Sequence, residues 1–389
     1  MAVLPFRPNW ANPVVERLEF RTGILRADDG AEQRQRFRRV PRRGLEFTPF
    51  LQDMEAAAFD ALMFARQHEA MTIPLWTDAQ RLAAQLSAGA TQIPVTTDFY
   101  SWEAGGQAIL IADFRTYEVV SIDTVGAGVL NLAEATATAW PAGTRVLPAP
   151  TGWSNPEQPV VRFDNRATTA PIRIECDTAP AVSPGTLGPT YQAHDVMDLL
   201  PSAAEEVEET LRREILELDN PLGNRYRDPK TDFADTLTRC TWLLVGREAI
   251  WNFRRWLYQR AGRLRPFWMP PLRNNLVLAA DVDAEDAEII IERTGYTDHL
   301  NLHPARRDLR FVYGDGTTLD RRIIACENTV TGNREILTLD AAPGVGGPPA
   351  SFRRVGFLTK CVLDADAVEL AWLTDDVVQV QLNVRGLGA

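Results

Sequence analysis

Histidine and cysteine are scarce: the 389 residues hold four of each. That scarcity thins the available chemistry before any motif is read. Cys176, Cys240, Cys326 and Cys361 form no CxxC, which argues against a zinc ribbon or a thioredoxin-like redox site. Each lies among apolar or β-type neighbours, the setting of a small buried thiol. Long apolar runs are missing as well. No stretch approaches the ~18 residues of a membrane span, and Met1-Ala-Val-Leu-Pro-Phe-Arg lacks the apolar core of a signal peptide. The expectation is a protein made in the cytoplasm, not inserted in a membrane, that leaves only as part of an assembly. Basic charge is in deficit: 52 acidic against 41 basic residues give a net charge of −11, which argues against nucleic-acid binding.

What is present is globular. The chain is 45% hydrophobic and 24% charged, and at roughly 100–200 residues per domain its length suggests two or three domains. Ten tryptophans and 26 prolines supply aromatic anchors and stiff connections.

Residues 17–47 read as a hairpin and its continuation, with Asp28-Asp29-Gly30 as the turn. The return segment carries Arg34, Arg36, Arg38, Arg39, Arg42 and Arg43. This basic run has two readings: a solvated strand edge whose charges deter pairing, or a contact with acidic surface on a neighbouring subunit. Residues 53–71 read as a helix with Ala56, Phe59, Met63 and Phe64 in a 3.6 period, stopped at Ile73-Pro74-Leu75-Trp76. Short β segments follow over residues 92–132, the pattern of a small sandwich or barrel.

Residues 150–195 read as a further β region with long loops. Then Ser202 and Glu205 form a capping box, and Val207, Leu211, Ile215 and Leu218 make an apolar stripe, which predicts an acidic helix. A second aromatic helix with Trp251, Trp256 and Leu257 is expected from Thr241, ending at Pro266-Phe267-Trp268. Strands follow to the end, the last with Val378, Val380, Leu382 and Val384 on one face.

The two helix-then-proline regions match. A shift of 192 residues sets Phe59 on Trp251, Phe64 on Trp256, Pro74 on Pro266 and Trp76 on Trp268; farther on, Val129–Leu132 falls opposite Ile336–Leu339. The prediction is a duplication in which each helix packs its aromatic face on its own sheet. Phe59, Phe64, Trp76, Trp251, Trp256 and Trp268 are then core anchors rather than ligand platforms.

The search for chemistry is short. HExxH, GxSxG, GxxxxGK[ST] and a GxGxxG between strand and helix are all absent. His299 and His303 share a face but have no third ligand nearby. Asp281, Asp283, Glu285 and Glu292 follow a calcium-loop count, but Asp286 stands where that loop needs glycine. No metal, no cofactor and no catalytic set are expected.

Several segments carry a resemblance: Pro8-Asn9-Trp10; Glu19-Phe-Arg-Thr-Gly-Ile-Leu; Asp29-Gly30-Ala-Glu32-Gln33-Arg34; Arg39-Val-Pro41-Arg42-Arg43; Phe267-Trp268-Met-Pro; Gly295-Tyr296-Thr297; and Leu363-Asp364-Ala-Asp366. Together they resemble the distal-tail and baseplate (tail-tip) structural proteins of long-tailed bacteriophages and related gene transfer agents, over most of the chain except residues 150–240. The resemblance implies a virion protein, made in the host cytoplasm. It implies a homo-oligomeric ring, usually a hexamer, that joins the tail tube protein to the baseplate hub, with the tape measure protein a further neighbour. It carries no catalytic residues. A trimeric hub or adaptor position stays open. Two other classes stay open too: a carbohydrate-binding β module using Trp102, Trp140 or Trp153, and a carboxylate glycosidase using pairs such as Asp364 with Asp366 or Asp375 with Asp376.

The expected fold is α+β and β-rich. It has two related helix-plus-small-β-sandwich or barrel units, an N-terminal β-hairpin arm and an inserted β region. The expected boundaries are 1–50 for the arm, 51–150 for the first repeat, 151–240 for the inserted β region and acidic helix, and 241–389 for the second repeat and C-terminal strands.

Overall fold

Alternation of apolar and polar residues builds most of the molecule. In Val377–Gly386 the four alternate residues from Val378 to Val384 are buried, and the residues between them face outward. The computed structural model describes residues 2–27, 31–179, 182–219, 221–231, 233–329 and 332–388. Strands dominate these residues and long helices are few, so the fold is the expected β-rich α+β. The Asp28-Asp29-Gly30 turn lies outside the described residues.

A first unit runs through β1 (Val14–Glu19), β2 (Thr22–Arg26), β3 (Glu32–Arg36), β4 (Arg42–Phe47), α1 (Met54–Arg66) and β5 (Met71–Thr72). It continues with β6 (Gln92–Pro94), β7 (Gln107–Ile111), β8 (Tyr117–Gly126), β9 (Val129–Leu132), β10 (Arg145–Pro148), β11 (Thr151–Ser154) and β12 (Ile172–Cys176).

A second unit has the same order: β13 (Glu208–Arg212), β14 (Ile215–Leu218), β15 (Tyr226–Pro229), β16 (Asp235–Val245), α2 (Arg247–Arg260) and β17 (Phe267–Met269). Then come β18 (Glu288–Glu292), β19 (Asp308–Tyr313), β20 (Thr318–Asn328), β21 (Arg334–Leu339), β22 (Phe352–Phe357), β23 (Thr359–Leu363), an additional β24 (Ala367–Trp372) and β25 (Val377–Gly386).

Hydrogen-bond register shows that the second unit repeats the first. A shift of 193 residues carries the pair Glu19–Arg42 onto Arg212–Asp235 and Val15–Glu46 onto Glu208–Arg239. The same shift carries Thr22–Arg36 onto Ile215–Pro229 and Leu25–Gln33 onto Leu218–Tyr226. A shift of 201 carries Gln107–Ser121 onto Asp308–Arg322. Even the irregularity recurs: β8 slips register between Ile122 and Thr124, and β20 between Ile323 and Ala325.

Strand order repeats as well. The small sheets run β10-β7-β8-β9-β6 and β22-β19-β20-β21-β18. The halves of the large sheet run β5-β11-β12-β4-β1 and β17-β23-β25-β16-β13, and β24 joins them by pairing with β1 and β25. Each small sheet closes over its own core, one around Trp102 and Trp140, the other around Phe311 and Tyr313.

The duplication therefore reaches further than the sequence suggested. Residues 208–240 are not part of an insertion; together with 241–245 they are the second copy of the N-terminal arm and its flanking strands. The acidic helix over 202–218 is not formed. Glu208–Arg212 pairs instead with Asp235–Arg239, and Ser202 N–H donates to the Thr241 carbonyl at 2.8 Å. The stripe Val207, Leu211, Ile215 and Leu218 faces no core, and all four are exposed. A long-range ladder outweighs a helix propensity that had nothing to pack against. The second helix also begins later than Thr241, because residues 241–245 finish β16; Gly246, at φ 92°, makes the turn into α2.

The helices also pack differently from expectation. Both bury their apolar faces in one core with the large sheet, not each on its own small sheet. Phe59 and Met63 of α1 occupy the places of Phe253 and Leu257 in α2, a shift of 194 rather than 192. Two residues turn a helix by about 200°. Phe64 consequently points to solvent, and Trp251 is half-buried, while Phe59 and Trp256 are core. Trp76 and Trp268 are both buried but are not counterparts: the ladders set Thr72–Thr151 against Trp268–Lys360, so Pro74 answers to Pro270. The match of Val129–Leu132 with Ile336–Leu339 holds, since Leu132 pairs Ile122 as Leu339 pairs Ile323.

Candidate assembly site

The arginine-rich segment divides by strand alternation into a surface group and a core group. Arg43 alternates with Leu45 and Phe47 on the inner face of β4 and is buried with them. It is not an interface residue. Its Nε lies 2.9 Å from Glu16, which also receives Arg254 Nη2 at 2.6 Å and Trp372 Nε1 at 3.2 Å. Burial pushes the Glu16 carboxyl up, but Arg254 and Arg43 overcome it and hold the group below the ordinary carboxylate value. Asp78, also fully buried, takes Arg247 at 2.6 Å and is lowered against burial by Arg247, Arg254 and Arg43. This cluster joins the first unit (Glu16, Arg43, Asp78) to α2 of the second (Arg247, Arg254).

Of the other five, Arg34 and Arg36 lie on the β2–β3 hairpin, Arg38 and Arg39 follow it, and Arg42 opens β4. Arg34 pairs with Glu32 and donates to the Arg263 carbonyl at 2.8 Å. Arg38 reaches Glu19 at 3.0 Å, and Arg36 Nε donates to the Arg38 carbonyl at 2.6 Å. Arg39 and Arg42 are exposed. The hairpin lies on the outer face of the second unit. Glu32 takes Arg385 at 2.7 Å, and Arg26 stands 3.5 Å from Asp235. Burial pushes Glu32 up, and its hydrogen bonds from Arg385 and Arg34 bring it below the ordinary value. The acidic partner foreseen for this basic arm thus belongs in part to the same chain.

Sequence reading missed Glu32, Arg26, Asp235 and Arg385 as the contact pairs. It also missed the second hairpin, β14–β15, whose strand residues are all exposed. The available signal was slight: Leu18 on Leu211, Gly30 on Gly223 and Arg34 on Arg227 at a shift of 193.

Trp102 and Trp140 are core residues, their indole N–H groups donating to the Thr96 carbonyl and to Glu118. Trp153 alone of the three is exposed, on the outer face of the first unit beside Glu175. His303 Nδ1 accepts from Ala305 N–H at 3.2 Å. Among the described residues no group of three or more His, Cys, Asp or Glu could hold a metal ion, and no helix is long and apolar enough to cross a membrane. Cys176, Cys240 and Cys361 are buried; Cys326 is half-buried. Neither protein-family models nor curated proteins give a match to this chain.

Proposed function

We propose that the chain is a structural protein of a long-tailed bacteriophage tail tip, a distal-tail-type ring component between tail tube and baseplate hub. The observation that carries this reading is the tandem unit of arm, sheet, helix and small barrel. The first arm already clasps the unit beside it within one chain. A chain made of two such units is suited to an interlocking ring, where opposite charges set register between neighbours. Because each chain supplies two units, three chains provide the six positions that the resemblance implies, and this favours the adaptor or hub-proximal place over a simple hexamer.

The role proposed is assembly, not catalysis. The carbohydrate-binding alternative retains only Trp153 of its three tryptophans. The test is to isolate virions from a host carrying the gene, with and without a null allele. Tails that lack the protein should fail to join tube and hub. Intact, infective tips without it would overturn the reading.

A further inference from the structure

The first arm has a seat within the chain; the strands of the second, Ile215–Leu218 and Tyr226–Pro229, are exposed throughout. β1 and its arm lie against the second unit. Phe20 meets Tyr258 edge-on at 5.9 Å, and Thr22 Oγ1 donates to the Ala261 carbonyl at 3.5 Å. The shifts that superpose the units name the counterparts. Arg26 and Glu32 fall on Asp219 and Arg225. On the receiving side, Asp235 falls back on Arg42, Arg385 on Glu175 and Val362 on Trp153. Tyr258 falls back on Phe64, by the shift of 194 that aligns the helices.

Exposure separates the two sets. Leu18 is 0% exposed and its counterpart Leu211 66%; Tyr258 is 7% and Phe64 95%; Val362 is 1% and Trp153 48%. These three buried apolar groups each have an exposed apolar twin, whereas the twin of Phe20 is Arg213. The sheet edge agrees: β1 is paired by β24, while β13, its twin, ends the large sheet among the described residues.

Charge complementarity says what covers these groups. In the seated arm a cation (Arg26) faces Asp235 and an anion (Glu32) faces Arg385. The open arm carries the opposite signs, Asp219 and Arg225, which pair with each other at 3.1 Å much as Arg26 and Glu32 do at 3.9 Å. The open seat is reversed too, with Arg42 and Glu175, and neither makes an ion pair among the described residues. Reversal on both sides leaves the match intact.

We propose that the second arm of one chain seats on the first unit of a second copy of this chain, head to tail. Asp219 then meets Arg42, Arg225 meets Glu175, and Arg213, the counterpart of Phe20, lies over Phe64 between Leu211 and Ile215. Such a contact is heterologous and propagates until it closes. Two features are not reproduced: the Phe20–Tyr258 ring contact has Arg213 and Phe64 as its twins, and the buried Glu16–Arg254 pair has Glu209 and Asp60, both acidic, so the contact between chains is weaker than the one within. The proposal rests on the duplicated geometry, not on the tail-tip reading.

The test uses the full chain in native mass spectrometry over a concentration series. Wild type should form oligomers at whole multiples of 43.4 kDa. Arg225→Glu or Glu175→Arg alone should raise the midpoint concentration of assembly by about tenfold or more, because like charges then face each other. The two together should return it toward wild type. Asp219→Arg with Arg42→Asp forms a second, separate cycle, and Phe64→Ser should weaken assembly without lowering the melting temperature of the monomer. A wild type that stays monomeric throughout, single reversals without effect, or failure of both double variants to recover would overturn the proposal. Recovery in both cycles with a protein that virions do not contain would leave this contact standing and remove only the tail-tip reading.

Discussion

Glu16→Gln is the sharpest probe of how the two units are held together. Glu16 is completely buried between Arg254 and Arg43 and accepts from Trp372. Glutamine keeps the shape but removes the charge, leaving two buried guanidinium groups with Asp78 as the nearest counter-charge. Breaking a buried ion pair from one side typically costs about 3–5 kcal/mol. Asp78 partly compensates, so the lower end, about 3 kcal/mol, is expected. For a chain of this length the unfolding entropy is about 0.8 kcal/mol/K, which makes the loss about 4 °C in melting temperature. Chemical denaturation followed by tryptophan fluorescence and by calorimetry measures it. The variant should also flatten the acid limb of the stability curve. The Glu16 carboxyl is held below its unfolded value, so its contribution is complete above the unfolded pKa and is lost as pH falls through the folded one. Wild type should therefore lose more stability than Glu16→Gln between ~pH 7 and strongly acid solution. A loss under about 1 kcal/mol with an unchanged acid limb would refute the claim that this cluster holds the units together.

Other outcomes follow from the same geometry. Phe253→Ala should destabilise by about 3–5 kcal/mol, while Phe64→Ala should leave the monomer within about 0.5 kcal/mol, as denaturation curves will show. A thiol reagent should label Cys326 first. Burial pushes Cys176 and Cys240 up to about 11 and Cys361 to about 12, so those three should react only on unfolding, which mass spectrometry of the labelled peptides can follow. Trypsin should cut the monomer first at Arg225 or Arg227 in the exposed second hairpin, and the cut should slow on assembly; early cleavage elsewhere would count against that exposure.

Much of the fold was legible because strands with one buried face alternate, as Val377–Gly386 does. The duplication was legible through aromatics and prolines, yet the match was wrong by two residues at the helices and four at their exits. In a helix a slip of two residues turns the face by about 200°, and Phe64 was assigned to the core for that reason. Residues 202–218 misled because their apolar stripe satisfies a helical period equally well, and only the distant partner Asp235–Arg239 decides for a strand. The second arm was hard to find for a further reason. Arg26 and Asp219, Glu32 and Arg225, and Arg42 and Asp235 are opposite in charge, so the positions that set the register of the arms are where the two copies diverge most. Arg43 could have been placed in the core by its alternation with Leu45 and Phe47.

Electron cryomicroscopy of the assembled particle at side-chain resolution addresses the whole proposal at once. The expected image has this chain in a closed ring, two units per copy, with Phe64 of each copy under Arg213 and its neighbours Leu211 and Ile215 of the next and Arg225 against Glu175. A particle in which Phe64 and the second arm face solvent, or are covered by a different protein, would contradict it.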